Sequence, residues 1–192
     1  LCKLHSPGTA ANRRDAPKTV NMGMMARERF AARNAAILPR NALKNMKIGV
    51  YQHSTVSRDL FISLLESFGA RAVPLGWSDE FIPVDTEAVS AETVAKLQSW
   101  AAEHRLDAIV SADGDGDRPL LADELGMPLR GDLLGLMTAE FIGADVVVTP
   151  VTSNSGIEAA LKSAVVRTKV GSPFVIAAMN ETIAAGAERV LG

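Results

Sequence analysis

Apolar and polar residues alternate in regular blocks from about residue 46 onward. Residues 46–51 (MKIGVY) form a short apolar block with β-branched members, which predicts a strand. Residues 60–68 then place leucines and phenylalanines at helical spacing. Ser57 stands at the N-cap position of this predicted helix, and Gly69 stands where a glycine commonly ends one. The first regular part of the chain therefore predicts a strand followed by a helix.

The same rhythm continues through residue 111. Residues 71–75 predict a second strand, in which Pro74 favours an edge position because proline donates no backbone hydrogen bond. Ser90 is placed to cap a helix that ends near residues 104–105, and residues 106–111 predict a buried strand. Strands that alternate with helices are typical of βαβ units, so we predict an α/β fold with a mixed, largely parallel sheet.

A second series of elements follows Gly126. Asp132 is placed to cap the first helix of this series, and Pro173 is placed to open the last one. The predicted elements are a helix over 133–142, a strand over 145–151, a helix over 157–162, a strand over 165–169 and a helix over 174–179. We therefore predict a complete domain over 46–127 and a partial domain over 128–192, after a poorly defined N-terminal segment with a linker over 1–45.

The charge of the chain is unevenly distributed. Residues 1–45 contain nine lysines and arginines against two acidic residues, and the rest contains eleven against twenty. A basic arm can bind nucleic acid or a membrane surface. Here the basic residues are scattered among alanine and asparagine, and only Phe30 is available for base stacking. We expect a poorly ordered terminus, with neither nucleic acid nor a membrane as partner, and an arginine-rich transit peptide is the alternative.

Composition excludes several classes of protein. Apolar residues make up 47% of the chain and charged residues 22%, which suffices for a hydrophobic core. Cys2 is the single cysteine, which excludes an internal disulfide and a zinc site built on several thiolates. No apolar run approaches the roughly 18 residues of a spanning helix. These features predict a soluble, cytoplasmic globular protein.

The strongest chemical signal is the sequence DGDGDR at residues 113–118, directly after a predicted strand. The carboxylates of Asp113, Asp115 and Asp117 alternate with two glycines, which allow the loop to curl tightly. Three carboxylates at such short spacing repel one another, so a bound cation is the natural counter-charge. Ligands that are all oxygen suit a hard cation, and we predict Mg²⁺. Arg118 is placed to bind a phosphate or a carboxylate.

Three other interpretations of this loop were weighed. An EF-hand requires glycine at its sixth position, where this chain has Arg118. A phosphatase of the haloacid dehalogenase type would use Asp113 as nucleophile, but Asp117 stands where such enzymes usually carry threonine or valine. A solvated acidic turn is the third interpretation, although surface turns rarely align three carboxylates with glycine spacers.

The DGDGDR loop after an apolar strand resembles the metal-binding loop of the α-D-phosphohexomutases, the phosphomannomutase/phosphoglucomutase group. The similarity continues in collinear order over residues 37–192. Two stretches resemble the opening of the family's second domain and two resemble the first part of its third domain: 47–76 and 81–89, then 131–161 and 165–179. This extent makes the resemblance far more specific than one motif of six residues.

The resemblance implies a function and a set of residue roles. The family moves a phosphoryl group between C1 and C6 of a hexose phosphate through a phosphoserine. By position, Asp113, Asp115 and Asp117 would hold Mg²⁺, whose remaining ligand would be a phosphoserine oxygen. Arg118 would contact the phosphoserine or the hexose phosphate substrate. Lys169 matches a lysine of the third domain that reaches the sugar, and its alternative is a solvated lysine at a strand end.

The chain also departs from the family pattern. The phosphoserine motif Thr-x-Ser-His-Asn-Pro and the sugar loop Gly-Glu-x-Ser-Gly are absent, and nothing resembles a fourth domain. His53, in a His-Ser-Thr sequence, is expected to be a loop residue rather than a base. Residues 1–36 do not resemble the first domain, and we expect a truncated, rearranged or frame-shifted gene, with Met22, Met24 and Met25 as candidates for the true start.

These departures predict a chain without a catalytic residue of its own, inactive as a mutase in isolation. A phosphatase that uses Asp113 and a non-catalytic remnant with an exposed apolar face remain the alternatives. The identity of the hexose phosphate and the oligomeric state are open at this point. We expect the chain to end just before the strand that leads to the sugar loop.

Overall fold

The structure is a computed structural model that describes residues 21–192. Predictions that fall on residues 1–20, among them those on Cys2, lie outside the described residues. The chain divides into compact units before and after the junction of Pro39 and Arg40. In the described part of the first unit, helix α1 spans Gly23–Ala35 and buries none of its residues. The sequence pattern predicted no element in this segment.

The second unit begins with a four-stranded sheet. Its elements are β1 (Lys47–His53), α2 (Arg58–Ser67), β2 (Arg71–Trp77), α3 (Ala91–His104), β3 (Ala108–Ala112) and β4 (Pro119–Ala122). The strand order is β2-β1-β3-β4; β1 is parallel to β2 and β3, and β4 is antiparallel to β3. This confirms the predicted mixed, largely parallel sheet. Pro74 lies on the edge strand β2, as predicted.

The core of this region lies around the central strands β1 and β3. Six of the seven residues of β1 are buried, which is typical of a strand covered on both faces. Leu97 of α3 and Ile109 of β3 are fully buried in the same cluster. Gly49 of β1 has no room for a side chain, because a Cβ atom there would come within 2.7 Å of Leu75 Cδ1.

The remaining elements are the strands of a second, three-stranded parallel sheet and the helices that accompany them. They are α4 (Gly131–Ile142), β5 (Val146–Pro150), α5 (Ile157–Ala160), β6 (Ala164–Thr168), α6 (Ser172–Ala184) and β7 (Val190–Leu191). The strand order is β6-β5-β7, and β5 is parallel to both neighbours. A smaller core of Ala139, Val147, Ile157 and Leu161 fills the space between sheet and helices. The domain bounds 46–127 and 128–192 stay a prediction.

Helix caps agree with the sequence in part. Ser90 caps α3 as predicted, since its Oγ accepts a hydrogen bond from the Thr93 amide at 3.2 Å. Ser57 does precede α2, but its side chain makes no capping hydrogen bond to the helix. The cap predicted at Asp132 is wrong: α4 begins one residue earlier, and Asp132 Oδ2 instead accepts a hydrogen bond from the Asn154 amide at 3.2 Å.

Three further predictions are corrected by the structure, and one strand had not been predicted. The helix predicted over 157–162 is the four-residue α5, and the helix predicted over 174–179 extends to Ala184. The sequence pattern predicted no strand at β4, because its first residue, Pro119, is of a type that is rare in strands. The chain was expected to end before the next strand, but β7 already pairs with β5 at Val190 and Leu191. None of the helices described has both the length and the apolar character that crossing a bilayer requires.

Candidate metal centre

The loop at residues 113–118 connects the antiparallel strands β3 and β4. The strand pairing brings Ala112 opposite Pro119, and the Asp113 amide donates to the Arg118 carbonyl at 3.1 Å. The reversal occurs at Gly116, whose φ of +81° is strained for any residue with a side chain. The loop is therefore a tight hairpin turn at the end of the central strand β3.

This turn brings the three predicted metal ligands together. One carboxylate oxygen from each of Asp113, Asp115 and Asp117 lies within 4.8 Å of the others. Asp113 is buried, and the other two are exposed. Within residues 21–192, this is the one group of three or more acidic, histidine or cysteine residues with such spacing. The alternation of carboxylates and glycines in the sequence does therefore converge in space.

Asp113 is held rigidly by its own loop. Its Oδ1 accepts hydrogen bonds from the Gly116 amide at 3.2 Å and the Arg118 amide at 3.3 Å, and its Oδ2 accepts one from Arg118 Nε at 2.8 Å. Burial alone would raise the pKa of Asp113, but these hydrogen bonds and the charge of Arg118 outweigh burial and lower that pKa below its ordinary value. Asp113 is thus a fixed, ionised carboxylate.

Arg118 is the cation nearest to the three carboxylates. Its Nε lies 3.6 Å from Asp117 Oδ1 in addition to the contact with Asp113, and one of its terminal nitrogens lies 3.8 Å from Glu87 Oε1. Its side chain is 55% exposed, so it can move toward an incoming anion without unfolding the loop. One arginine against three aspartates leaves the turn with excess negative charge.

The chemistry of this donor set fits Mg²⁺. All three groups supply carboxylate oxygen, which hard cations prefer. Mg²⁺ usually binds one or two carboxylates together with waters or phosphate oxygens, so three carboxylates lie at the upper end of its usual ligand set. Oxygen ligands on opposite sides of Mg²⁺ lie roughly 4.2 Å apart. The present oxygens lie within 4.8 Å of one another, a limit close to this span, and the exposed side chains of Asp115 and Asp117 can adjust by rotation.

An open groove runs beside the carboxylates. It has a volume of about 640 Å³, and Asp113, Asp115 and Arg118 form its polar side. The opposite side comes mainly from the loop after β2: Val56, Phe81, Pro83, Val84 and Asp85. A Cβ atom on Gly114 would come within 3.1 Å of the Phe81 ring, so a side chain at this position would displace that exposed ring slightly.

His53 is placed differently from the prediction. It was expected to be a loop residue, but it is the last residue of β1 and is fully buried. Its Nε2 lies 2.8 Å from the carbonyl oxygen of Ala112, the residue before Asp113. Burial is the main cause that lowers the pKa of His53 below its ordinary value, so the ring is neutral. The prediction failed because the apolar block was ended at Tyr51, whereas the buried strand continues for two more residues.

Lys169 lies apart from the residues that line the groove. It follows β6, is exposed, and its Nζ lies 5.6 Å from the centre of the Phe174 ring. The structure therefore places Arg118 against Asp113 and Asp117 and leaves Lys169 outside the groove's lining. Its role toward a substrate stays a prediction.

Sequence reasoning missed the residues of the groove wall. Phe81 and Asp85 lie in a loop that showed only a high content of acidic residues and proline. The available signal was their position: the loop follows the neighbouring parallel strand, and ligands of such sheets bind at the carboxyl ends of the strands. Val56, which follows β1, belongs to the same edge of the sheet.

Comparison with known families agrees with this geometry. The family model "Phosphoglucomutase/phosphomannomutase, alpha/beta/alpha domain II" matches residues 28–126, and the model for domain III of the same family matches residues 130–192. The first match begins before the resemblance seen in the sequence, and it includes part of α1. Together the two models account for most of the chain.

Known proteins give the same result. The chain is 58% identical over 163 residues to a phosphomannomutase from Sinorhizobium fredii, with 85% of this chain and 34% of the relative covered. It is 48% identical over 160 residues to a phosphomannomutase from Salmonella muenchen, with 83% and 34% covered. The chain thus spans about a third of the length of these curated relatives.

A solved structure shares the fold. The crystal structure of a phosphoglucomutase/phosphomannomutase family protein from Burkholderia thailandensis superposes with a TM-score of 0.65 at 17% identity, over 86% of this chain and 37% of that one. Both the paired domain models and the relatives point the same way: this chain belongs to the phosphoglucomutase/phosphomannomutase family.

Proposed function

We propose that this chain is the metal-binding central portion of a phosphohexomutase, which moves a phosphoryl group between C1 and C6 of a hexose phosphate. The observation that carries the proposal is the convergence of three aspartate oxygens within 4.8 Å, in a region that matches domain II of the family. The carboxylates lie beside an open groove wide enough for a sugar phosphate.

In this proposal each residue of the loop has a defined role. Asp113, Asp115 and Asp117 hold Mg²⁺, with Asp113 as the ligand that the loop fixes in place. When bound, the ion supplies positive charge that stabilises the phosphoryl group during transfer. Arg118 exchanges its contact with Asp113 for one with a phosphate, which a guanidinium binds through two parallel hydrogen bonds. Lys169 binds the sugar from the third domain.

The substrate that we favour is a mannose phosphate. The relatives at 58% and 48% identity are both named phosphomannomutase, while a relative named phosphoglucosamine mutase, from Sodalis glossinidius, is 32% identical. We further propose that the enzyme is cytoplasmic and binds neither nucleic acid nor a membrane.

The 192 residues by themselves are expected to be inactive. They contain no Thr-x-Ser-His-Asn-Pro motif to carry the phosphoryl group. Removing a catalytic nucleophile typically slows an enzyme by about 10⁶-fold. Phosphatase chemistry of the haloacid dehalogenase type at Asp113 is disfavoured because Asp117 stands where such enzymes usually carry threonine or valine.

A calorimetric titration with Mg²⁺ tests the metal site. The Asp115→Asn variant removes one ligand charge, and Asp85→Asn removes a carboxylate that lines the same groove but lies outside the three aspartates. We expect saturable binding in the wild type and in Asp85→Asn, weakened at least about tenfold in Asp115→Asn. Equal affinity in all three proteins contradicts the assigned ligands.

Two further assays separate a mutase from the alternatives. Free O-phosphoserine is expected to tighten Mg²⁺ binding, because a phosphate oxygen completes the ligand set of the ion; by linkage, Mg²⁺ then tightens phosphoserine binding equally. A coupled assay on mannose 1-phosphate is expected to show no turnover by the chain alone. Hydrolysis of phosphate esters that Asp113→Asn abolishes would instead identify a phosphatase, and the absence of both metal and phosphate binding would identify a non-catalytic remnant.

A further inference from the structure

The backbone pairing between the central strands β1 and β3 stops before the strands themselves end. Residues pair from Ile48 with Ala108 to Val50 with Val110, and beyond this point the two strands share no backbone pair. Both strands nevertheless continue, β1 to His53 and β3 to Ala112. The metal loop begins directly after this unpaired stretch, so something other than the backbone ladder must fix its starting point.

The carbonyl group of Ala112 illustrates the problem. The Asp113 amide donates to the Arg118 carbonyl, so the backbone of Asp113 faces β4. Pairs alternate along an antiparallel ladder, so Ala112 and Pro119 are a non-bonded pair and the Ala112 carbonyl points away from β4, toward β1. No backbone amide of β1 reaches it, because the β1·β3 pairing has already ended.

The imidazole of His53 takes the place of that missing amide. Its Nε2 lies 2.8 Å from the Ala112 oxygen, and both groups are buried. A carbonyl oxygen only accepts hydrogen bonds, so Nε2 carries the proton and donates it. Ser111, one residue earlier, makes the corresponding bond with its hydroxyl, which donates to the Tyr51 carbonyl at 2.7 Å. Side chains thus continue the ladder where the backbone no longer does.

The residues after His53 extend the same support to the loop and to the opposite wall. The Val56 amide donates to the Gly114 carbonyl at 3.1 Å, inside the metal loop. The Ser54 hydroxyl accepts from the Ile82 amide at 2.8 Å and lies 3.2 Å from the Ile82 carbonyl. The end of β1 therefore contacts both sides of the groove.

We propose that His53 is a positioning residue of the metal centre: its Nε2–H holds the Ala112 carbonyl and thereby fixes the backbone from which Asp113 projects. This inference rests on the proposed metal site. Groups that orient a metal ligand without binding the metal themselves typically contribute about 10- to 100-fold to metal affinity. His53 does so through one carbonyl, without contact with the ion.

A matched pair of variants tests the proposal. His53→Gln keeps an N–H donor of similar reach, and His53→Met has similar size but no donor. Val50→Ala shortens another fully buried side chain of β1 and serves as the control for lost stability. We expect the dissociation constant for Mg²⁺ to rise about tenfold in His53→Met and to stay within about threefold in His53→Gln and Val50→Ala.

Amide hydrogen exchange of the metal-free chain gives a second readout. The Gly116 and Arg118 amides, which both donate to Asp113, are expected to exchange about tenfold faster in His53→Met, beyond the change caused by its global stability. The proposal is wrong if His53→Met matches Val50→Ala in this exchange, or if His53→Gln behaves as His53→Met. A wild type that binds no Mg²⁺ contradicts the metal site, while the exchange result still decides the role of His53.

Discussion

The two sheets are similar in how each supports one loop, and they differ in the charge around that loop. Each has a loop that follows a central parallel strand and must be fixed where the strand pairing ends. After β3, His53 bridges from β1 to the Ala112 carbonyl. After β5, Arg167 of β6 bridges to the carbonyls of Pro150, Ser153 and Asn154 at 2.9 to 3.2 Å. In both regions a side chain from the neighbouring strand supports the loop.

The difference lies in the charge that each loop is left with. Arg167 is paired with Glu158 through two contacts of 2.7 Å, so the positive and negative groups near the second loop balance. The first loop places three carboxylates around one exposed arginine. Mutual repulsion makes that arrangement unfavourable without a further cation. The second loop is therefore charge-balanced by its own residues, whereas the first keeps negative charge that a bound cation would neutralise.

The largest expected effect follows from removing the buried charge of the first loop. Asp113→Asn is expected to weaken Mg²⁺ binding by at least about 100-fold, because it removes the one ligand that the loop holds rigid. Glu158→Gln removes a carboxylate of the second loop and is expected to leave Mg²⁺ affinity unchanged. Calorimetric titration of both variants measures the contrast, and equal losses would falsify the distinction between the loops.

Removal of the supporting arginine is expected to break the second region instead. Arg167→Met deletes the donors to three loop carbonyls and leaves Glu158 without its partner. Hydrogen bonds from a charged donor are stronger than neutral ones, so we expect a measurable loss in the free energy of unfolding. Denaturant titration measures this loss. Mg²⁺ affinity at the first loop should not change, and a parallel loss of affinity would mean that the two loops are coupled.

Acidification is expected to weaken the first region before the second. Burial lowers the pKa of His53, with Arg58 acting in the same direction and Asp113 against it. In the unfolded chain histidine has a pKa of about 6.5. Below that pH the unfolded state therefore binds a proton that the folded state does not bind. The free energy of unfolding should therefore decrease as pH falls from 7 toward 5.

The control for this pH dependence is His53→Gln, which has no titrating ring. Its stability should be nearly flat from pH 7 to 5 and should fall only at lower pH, where the aspartates with lowered pKa values, such as Asp113 and Asp132, become protonated. Urea titrations of both proteins at a series of pH values provide the measurement. An equal slope in His53→Gln would place the titrating group elsewhere.

Much of the fold could be predicted because local pattern and packing agree. The apolar residues at 46–51 suit a buried strand, and the hydroxyl of Ser90 suits a helix cap. Pro74 suits an edge strand because it has no backbone N–H to donate. Strand β4 could not be predicted, because proline at its first residue is rare in strands and its pairing with β3 is set by the tight turn between them. The helix over 157–162 was predicted too long, because nothing local shows that only Ile157–Ala160 is helical.

The candidate site divides in the same way. The three aspartates and Arg118 are contiguous in sequence, so their meeting depends on one turn and could be predicted. His53 and the groove wall at Phe81 lie on other strand ends, about 30 to 60 residues away in sequence. Their contacts with the loop depend on which strands are neighbours, and composition or spacing contains no information on that.

The smallest effect on stability and on Mg²⁺ binding is expected at Lys169, which lies in the second region. Lys169 is exposed, and its one described aromatic contact is with Phe174 at 5.6 Å, so Lys169→Met should change the free energy of unfolding by no more than about 0.5 kcal/mol. Mg²⁺ affinity should not change either, because Lys169 is not among the residues of the groove.

Arg118→Met is the matched variant in the first region: it removes the resident cation from Asp113, so it should change Mg²⁺ affinity measurably. If Lys169→Met alters Mg²⁺ binding as much as Arg118→Met does, the second region contributes to the metal centre, and the contrast between a charge-balanced loop and a ligand-binding loop does not hold.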